Sequence, residues 1–254
     1  MKGREIRRWI RRVWLAAGIC LMAWMWWSVQ AHGVTEGLLT SSASVTVRTA
    51  DRATLFLPAA APSERVGFAL LPGGLIHPHA YVPFVRALAD AGVPAAIVEL
   101  PFRQAPTESS RDEVWRRVEA VRAAWGPGRP LVLAGHSRGA ALAGRFASEH
   151  PEALAGLVLI GTTHPRDQDL SGVSFPVLKV LGSRDCVADP ADARANAHRL
   201  PPGTQWVEIA GGNHAQFGHY GSQFNDCQAT ISREAQQLQA REAVLELLGR
   251  IDAR

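Results

Sequence analysis

Past residue 65 the apolar positions switch repeatedly between two periods. Six stretches read as buried strands: "VGFALLPGG" (66–74), "AAIVEL" (95–100), "PLVLAG" (130–135), "GLVLIGT" (156–162), "PVLKVLGS" (176–183) and "TQWVEIAGG" (204–212). Between them, residues 80–92, 109–126, 138–150 and 190–200 carry helical spacing, and 230–250 predicts a long closing helix with Ser232 near its N-cap. Ahead of them, "SVTVRT" (44–49) and "ATLFLP" (53–58) suit a hairpin. Continuous apolar strands separated by helices predict an α/β fold: a mostly parallel sheet flanked by helices on both faces. In such a sheet, reactive side chains collect at the carboxyl ends of the strands. With 254 residues the chain fits one such domain, here 43–254, preceded by a polar linker over 32–42, "HGVTEGLLTSS".

The first 31 residues follow another pattern. Residues 1–12 hold six basic side chains and one acid, and residues 13–29, "VWLAAGICLMAWMWWSV", hold no charge. A basic start followed by an apolar run describes either a secretory signal or an N-terminal membrane anchor. Trp24, Trp26 and Trp27 suit a membrane interface, whereas Val29 and Ala31 supply the small residues for cleavage after Ala31. Ile19, ahead of Cys20, is not the small residue a lipoprotein signal needs. Both readings leave the arginines inside and place the rest of the chain outside the cytoplasmic membrane. The third reading is a buried helix of a soluble protein. The net charge of +4 is concentrated in this segment: the remainder carries 21 basic and 22 acidic residues. No basic patch is left for a phosphate backbone, so nucleic acid is set aside as a partner.

Chemistry enters at "LAGHSRG", 133–139. Gly135-His136-Ser137-Arg138-Gly139 is G-x-S-x-G placed between a strand and a helix, a turn that forces the serine into a strained conformation with its hydroxyl above the sheet. A helix-capping serine is the plain alternative. A nucleophilic serine needs a base, and the base an orienting acid; where the serine sits on a strand–turn–helix elbow of this kind, the partners follow in chain order Ser, Asp, His. Asp185 stands just past the strand at 176–183 and His214 just past the last strand. Asp189 and Asp192 are rivals for the acid, although Asp189-Pro190 reads as a helix cap. His219, His164 and His136 are rivals for the base. The oxyanion of an acyl intermediate needs two donors. The backbone N–H of Arg138 supplies one, and Gly74 or Leu75, in the glycine turn "PGGLIHPHAY", the other. Nothing in the histidine spacing, His77 and His79 included, supports a metal site, and no cofactor is required.

The stretches "LLPGGLIHPHAY", "LAGHSRGA", "VLGSRDCVADP" and "GGNHAQFGHYGSQFNDCQATISREAQ" resemble the α/β-hydrolase superfamily, in particular an exported bacterial branch of dienelactone-hydrolase-like proteins. The resemblance implies the α/β-hydrolase fold and a triad of Ser137, Asp185 and His214. Dienelactone hydrolases proper use a cysteine nucleophile, so their particular chemistry does not carry over to Ser137. Cys186 and Cys227 depart from the branch's pattern, where small residues are expected. The paired departure favours a disulfide between them, two unpaired thiols being the alternative. The short connection between the strands at 156–162 and 176–183 leaves room for a minimal lid. Arg103, Gln104, His77 and Tyr81 are candidates for the rim of an open site. The function expected is an exported serine hydrolase acting on small carboxylic esters or related acyl compounds. An acyltransferase with the same triad and a catalytically weak, membrane-tethered binding protein are the alternatives. The oligomeric state is not legible.

Overall fold

A computed structural model describes residues 2–60 and 65–253. Its centre is an eight-stranded sheet in the order β1-β2-β4-β3-β5-β6-β7-β8. The strands are β1 (Val45–Ala50), β2 (Ala53–Pro58), β3 (Gly67–Leu71), β4 (Ala95–Val98), β5 (Leu131–His136), β6 (Gly156–Ile160), β7 (Val177–Gly182) and β8 (Gln205–Ile209). β1 and β2 form the expected hairpin, with Ala50 paired to Ala53. The two residues between, Asp51 and Arg52, both have positive φ, 43° and 61°, as a tight two-residue turn between twisted strands demands. β2 joins β4 antiparallel, and every pairing from β4 to β8 is parallel.

Helices α2 (Val82–Asp90) and α6 (Arg233–Asp252) cover one face, and α3 (Glu108–Ala124) and α4 (Arg138–Glu149) the other. The period of two in the strands sorts the core accordingly. In β3, Phe68 and Leu70 pack with α2, whereas Ala69 and Leu71 pack with α3 and α4. The helix expected over 190–200 is shorter, α5 (Pro190–Ala195) followed by a 3₁₀ turn at Ala197–Arg199.

The N-terminal region departs from the sequence reading at the linker and adds detail at the first helix. Residues 32–42 are not a free linker. Val34, Leu38 and Leu39 pack against the core, and the Arg86 guanidinium donates to the carbonyls of Leu38 (3.2 Å) and Thr40 (3.0 Å) and to Ser42 Oγ (2.9 Å). Residues 2–28 form one helix, α1 (Lys2–Ser28), but no helix among the described residues is long and apolar enough to cross a membrane. The uncharged run reaches only about 25 Å as a helix, against a hydrocarbon core of ~30 Å. α1 is exposed around its circumference and held at its carboxyl end, where Ser28 Oγ donates to the Ser222 carbonyl (2.5 Å) and Gly221 N–H donates to the Ser28 carbonyl (2.8 Å).

The connection from β6 to β7 carries no helix or strand, so no lid is built there. It is tied down from below by Lys179 of β7, fully buried, whose ammonium donates to the His164 carbonyl and faces the Trp206 ring of β8 at 5.8 Å. Burial lowers the Lys179 pKa from 10.5 to about 7. A folded-state pKa below the unfolded one means that the unfolded chain binds more protons between these limits, so this residue makes stability rise with pH from about 7 to 10.5. A Lys179→Met variant is therefore expected to gain on the wild type in Tm as pH falls from 9 to 7, the difference levelling off below. Parallel melting curves across that range would sink the assignment.

Candidate active site

The elbow is built by backbone contact. A Cβ at Gly135 would overlap the backbone of Gly139 and Ala140, and one at Gly139 would overlap the Leu71 carbonyl of β3. The two glycines let β5 run straight under α4, and the turn between them sets Ser137 at φ 51°, ψ −114°. A non-glycine residue held there stores on the order of 1–3 kcal/mol of strain. Ser137 is the N-cap residue of α4, yet its side chain caps nothing, which removes the plain alternative for its presence.

His214 and Asp185 meet as expected. His214 Nδ1 donates to Asp185 Oδ2 at 2.8 Å, with both side chains almost wholly buried. The other carboxylate oxygen accepts from the N–H groups of Val187 (2.9 Å) and Ala188 (2.6 Å), so the acid is fixed by its own loop. With Nδ1 donating, neutral His214 keeps its lone pair at Nε2, which is buried and has no hydrogen-bond partner. No hydrogen bond joins it to Ser137. The ring of His136, the serine's chain neighbour, lies 4.6 Å from that of His214. Of the rivals, Asp189 caps α5 by accepting from Ala191 N–H (2.8 Å), and Asp192 lies in the first turn of that helix. His136 is buried and points away from solvent, His164 lines the cavity beside Ser137, and His219 donates its backbone N–H to the Ala80 carbonyl (2.7 Å).

The glycine turn after β3 distinguishes the two candidates for the second oxyanion donor. Leu75 N–H is committed to the Arg103 carbonyl at 2.7 Å, so the expectation for Leu75 is corrected. Gly74 N–H donates to no protein group among the described residues, and a Cβ on Gly74 would lie 3.2 Å from Arg138 Cβ. Gly74 and the α4 N-terminus, where Arg138 has no intrahelical acceptor, therefore adjoin. Tyr81, expected at the rim, is buried. Its hydroxyl accepts from Gly73 N–H (2.9 Å) and lies 2.7 Å from His136 Nδ1. Since the phenolic oxygen accepts from Gly73, its own proton goes to His136, whose pKa burial and the neighbouring His214 push well down. The glycine turn and the elbow are thus joined through two buried side chains that the motif alone does not reveal.

Asp226 and Gln236 also escaped the sequence reading. Asp226 accepts from the N–H groups of His214 (3.3 Å) and Ala215 (2.9 Å). Gln236 of α6 donates to the Asn213 carbonyl (2.7 Å) and accepts from Asn213 N–H (3.0 Å). Both hold the histidine turn. A disulfide joins Cys186 to Cys227, with Cα atoms 5.3 Å apart, and so ties the acid loop to the segment that carries Asp226. Closing a loop of 41 residues contributes roughly 3–4 kcal/mol on chain-entropy grounds.

Beside Ser137 lies an open cavity of about 230 Å³, lined by Arg138, Thr162, Thr163, His164, Arg166 and Val187 among others. A larger cleft, about 660 Å³, is lined by Pro130, Leu131 and Ala155 at the amino ends of β5 and β6, the opposite edge of the sheet from Ser137. Of the remaining rim candidates, Arg103 donates to Gln30 Oε1 (3.4 Å) and sits 5.8 Å over the Trp26 ring. Gln104 gives its carbonyl to Arg138 Nε (3.0 Å). His77 is half-buried, its pKa lowered to about 4 by burial and then by Arg103 and His79.

Solved structures share this arrangement of strands and helices. Est1E from Butyrivibrio proteoclasticus is 13% identical, with 82% of this chain and 100% of that one covered and a TM-score of 0.57. A serine hydrolase without lid from Xanthomonas campestris is 18% identical over 83% of this chain and 96% of its own, with a TM-score of 0.55. A membrane phospholipase A, described as a bacterial virulence factor, is 17% identical and covers 97% of this chain and 99% of its own, with a TM-score of 0.57. At these identities the likeness establishes the fold. No curated protein matches the chain. The sequence profile of the alpha/beta hydrolase family matches residues 67–238, which is most of the sheet and the whole of the site, and the chain belongs to that family.

Proposed function

We propose that the protein is an exported serine hydrolase that cleaves carboxylic esters through an acyl-enzyme on Ser137. The observation that carries this reading is the buried Asp185–His214 pair, which leaves His214 Nε2 unpartnered, together with a strained, uncapped Ser137 at the start of α4. Ser137 Oγ attacks the ester carbonyl carbon as His214 Nε2 takes its proton. Asp185 stabilises the imidazolium that forms. The negative charge on the carbonyl oxygen is met by the N–H groups of Gly74 and Arg138, with the α4 N-terminus behind them. Collapse of the intermediate expels the alcohol, which leaves with the proton from His214. Water, activated by the same histidine, then releases the acid and restores Ser137. An alcohol in place of that water would give acyl transfer from the same intermediate. The disulfide supports an oxidising compartment outside the cytoplasm. Est1E has been solved with ferulic acid bound, which supports an ester of a carboxylic acid as the substrate class. Intact-mass and peptide mapping after reaction with a fluorophosphonate tests the reading: the adduct is expected on Ser137, and an unmodified Ser137 in folded protein would overturn it.

The buried Tyr81 gives a separate expectation. Tyr81→Phe leaves Gly73 N–H without an acceptor and frees the turn that presents Gly74. Steady-state kinetics should show kcat reduced on the order of 10-fold or more with KM little changed, as for a weakened oxyanion contact. A change confined to KM would mean that Tyr81 serves substrate binding instead.

A further inference from the structure

The large apolar side chains left exposed are not scattered. Outside α1 there are five among the described residues: Leu75 (55%), Phe102 (83%), Val187 (38%), Phe224 (68%) and Leu238 (44%). Four of these follow the carboxyl ends of the parallel strands β3, β4, β7 and β8, and so stand at the edge of the sheet that carries Ser137. Leu75 and Phe102 are held outward on left-handed backbone, φ 64° and 54°, a conformation that bulky residues seldom adopt. Isolated exposed apolar residues need no explanation, but four around one catalytic mouth do.

α1 departs from the same rim. Its last residues bond to Gly221 and Ser222, close in sequence to Phe224, and Trp26 stacks under Arg103, the neighbour of Phe102. Beyond that attachment the helix presents Trp14, Leu15, Met22 and Trp26 to solvent, each more than 60% exposed. At its far end it presents Arg7, Arg8, Arg11 and Arg12. Apolar and tryptophan surface joined to clustered cations is complementary to a bilayer with anionic headgroups. The cavity beside Ser137, about 230 Å³, is smaller than the roughly 300–1,000 Å³ of pockets that enclose a ligand, so a long acyl chain must find its apolar surroundings outside the protein.

We infer that the Ser137 face docks on an anionic lipid surface, with Phe102 and Phe224 entering the headgroup boundary, and that the ester attacked belongs to an amphiphile lying in that surface. The inference rests on Ser137 being the nucleophile for its substrate half only. Docking itself depends on the rim and on α1.

The test uses the full chain and flotation with vesicles of phosphatidylcholine alone or mixed with phosphatidylglycerol, doped with a fluorogenic long-chain phospholipid ester. The wild type is expected to float with the mixed vesicles and to hydrolyse the embedded ester. The double variant Phe102→Ser/Phe224→Ser, with its Tm unchanged, is expected to lose at least tenfold in apparent vesicle affinity and in hydrolysis of that ester. A variant within twofold of the wild type on both readouts, or a wild type that stays off the vesicles and associates with itself, overturns the docking face. Flotation that depends on the rim without hydrolysis of the ester, in protein that fails to take up a fluorophosphonate, overturns the Ser137 reading while the docking face stands.

Discussion

Ser137→Ala is expected to abolish fluorophosphonate labelling and to lower ester turnover by about 10⁴-fold or more, leaving only what the oxyanion donors and substrate binding supply. The fold should not share in the loss. Alanine at φ 51° is strained as serine is, and the serine hydroxyl makes no capping bond to lose, so the variant's Tm should stay close to the wild type's. The comparison therefore isolates chemistry from stability. Retained labelling in the alanine variant would place the nucleophile elsewhere and dismantle the triad.

Asp185→Asn carries the second large effect. The carboxylate now accepts from His214 Nδ1 with one oxygen and from two backbone N–H groups with the other. An asparagine that keeps its carbonyl on the backbone turns its NH₂ toward His214, which must then present a lone pair at Nδ1 and carry its proton at Nε2. That is the wrong tautomer for taking a proton from Ser137, and the cost is on the order of 10⁴ in kcat. Asp189→Asn tests the alternative directly. It replaces one good helix cap by another at the start of α5 and should leave kcat unchanged. The reverse outcome, with Asp189→Asn inactive and Asp185→Asn active, would reassign the acid.

The sheet was legible because its strands are buried on both faces, and that burial is written as unbroken apolar runs. The elbow was legible because two backbones approach so closely at Gly135 and Gly139 that no other residue fits. Asp185 and His214 followed from strand order. What the sequence hid has a common physical character: each case depends on a polar partner distant along the chain. The choice of Gly74 over Leu75 turns on the Arg103 carbonyl, which a residue pattern does not register. Tyr81 reads as a candidate for the rim until His136, 55 positions away, is brought beneath it. The segment 32–42 looked like a linker because its polar residues outnumber its apolar ones. Its fixity comes from Arg86, 46 positions from the Thr40 carbonyl it holds. The N-terminal helix was legible as a helix.

The division of labour around the cavity bears on engineering. The elbow is fixed by backbone meeting backbone, so libraries that randomise positions 135 or 139 would yield misfolded clones. The cavity wall is different. Thr162, Thr163, His164 and Arg166 extend from a connection without regular structure, held by Lys179 at the His164 carbonyl, by Asn196 at the Thr163 carbonyl and by the buried Leu170. Thr162 and Thr163 are buried, whereas Arg166 is exposed and its side chain is the one exchanged with least disturbance to the packing. Selection for new acyl groups should accordingly find its gains in that short connection, where selectivity evolves separately from rate.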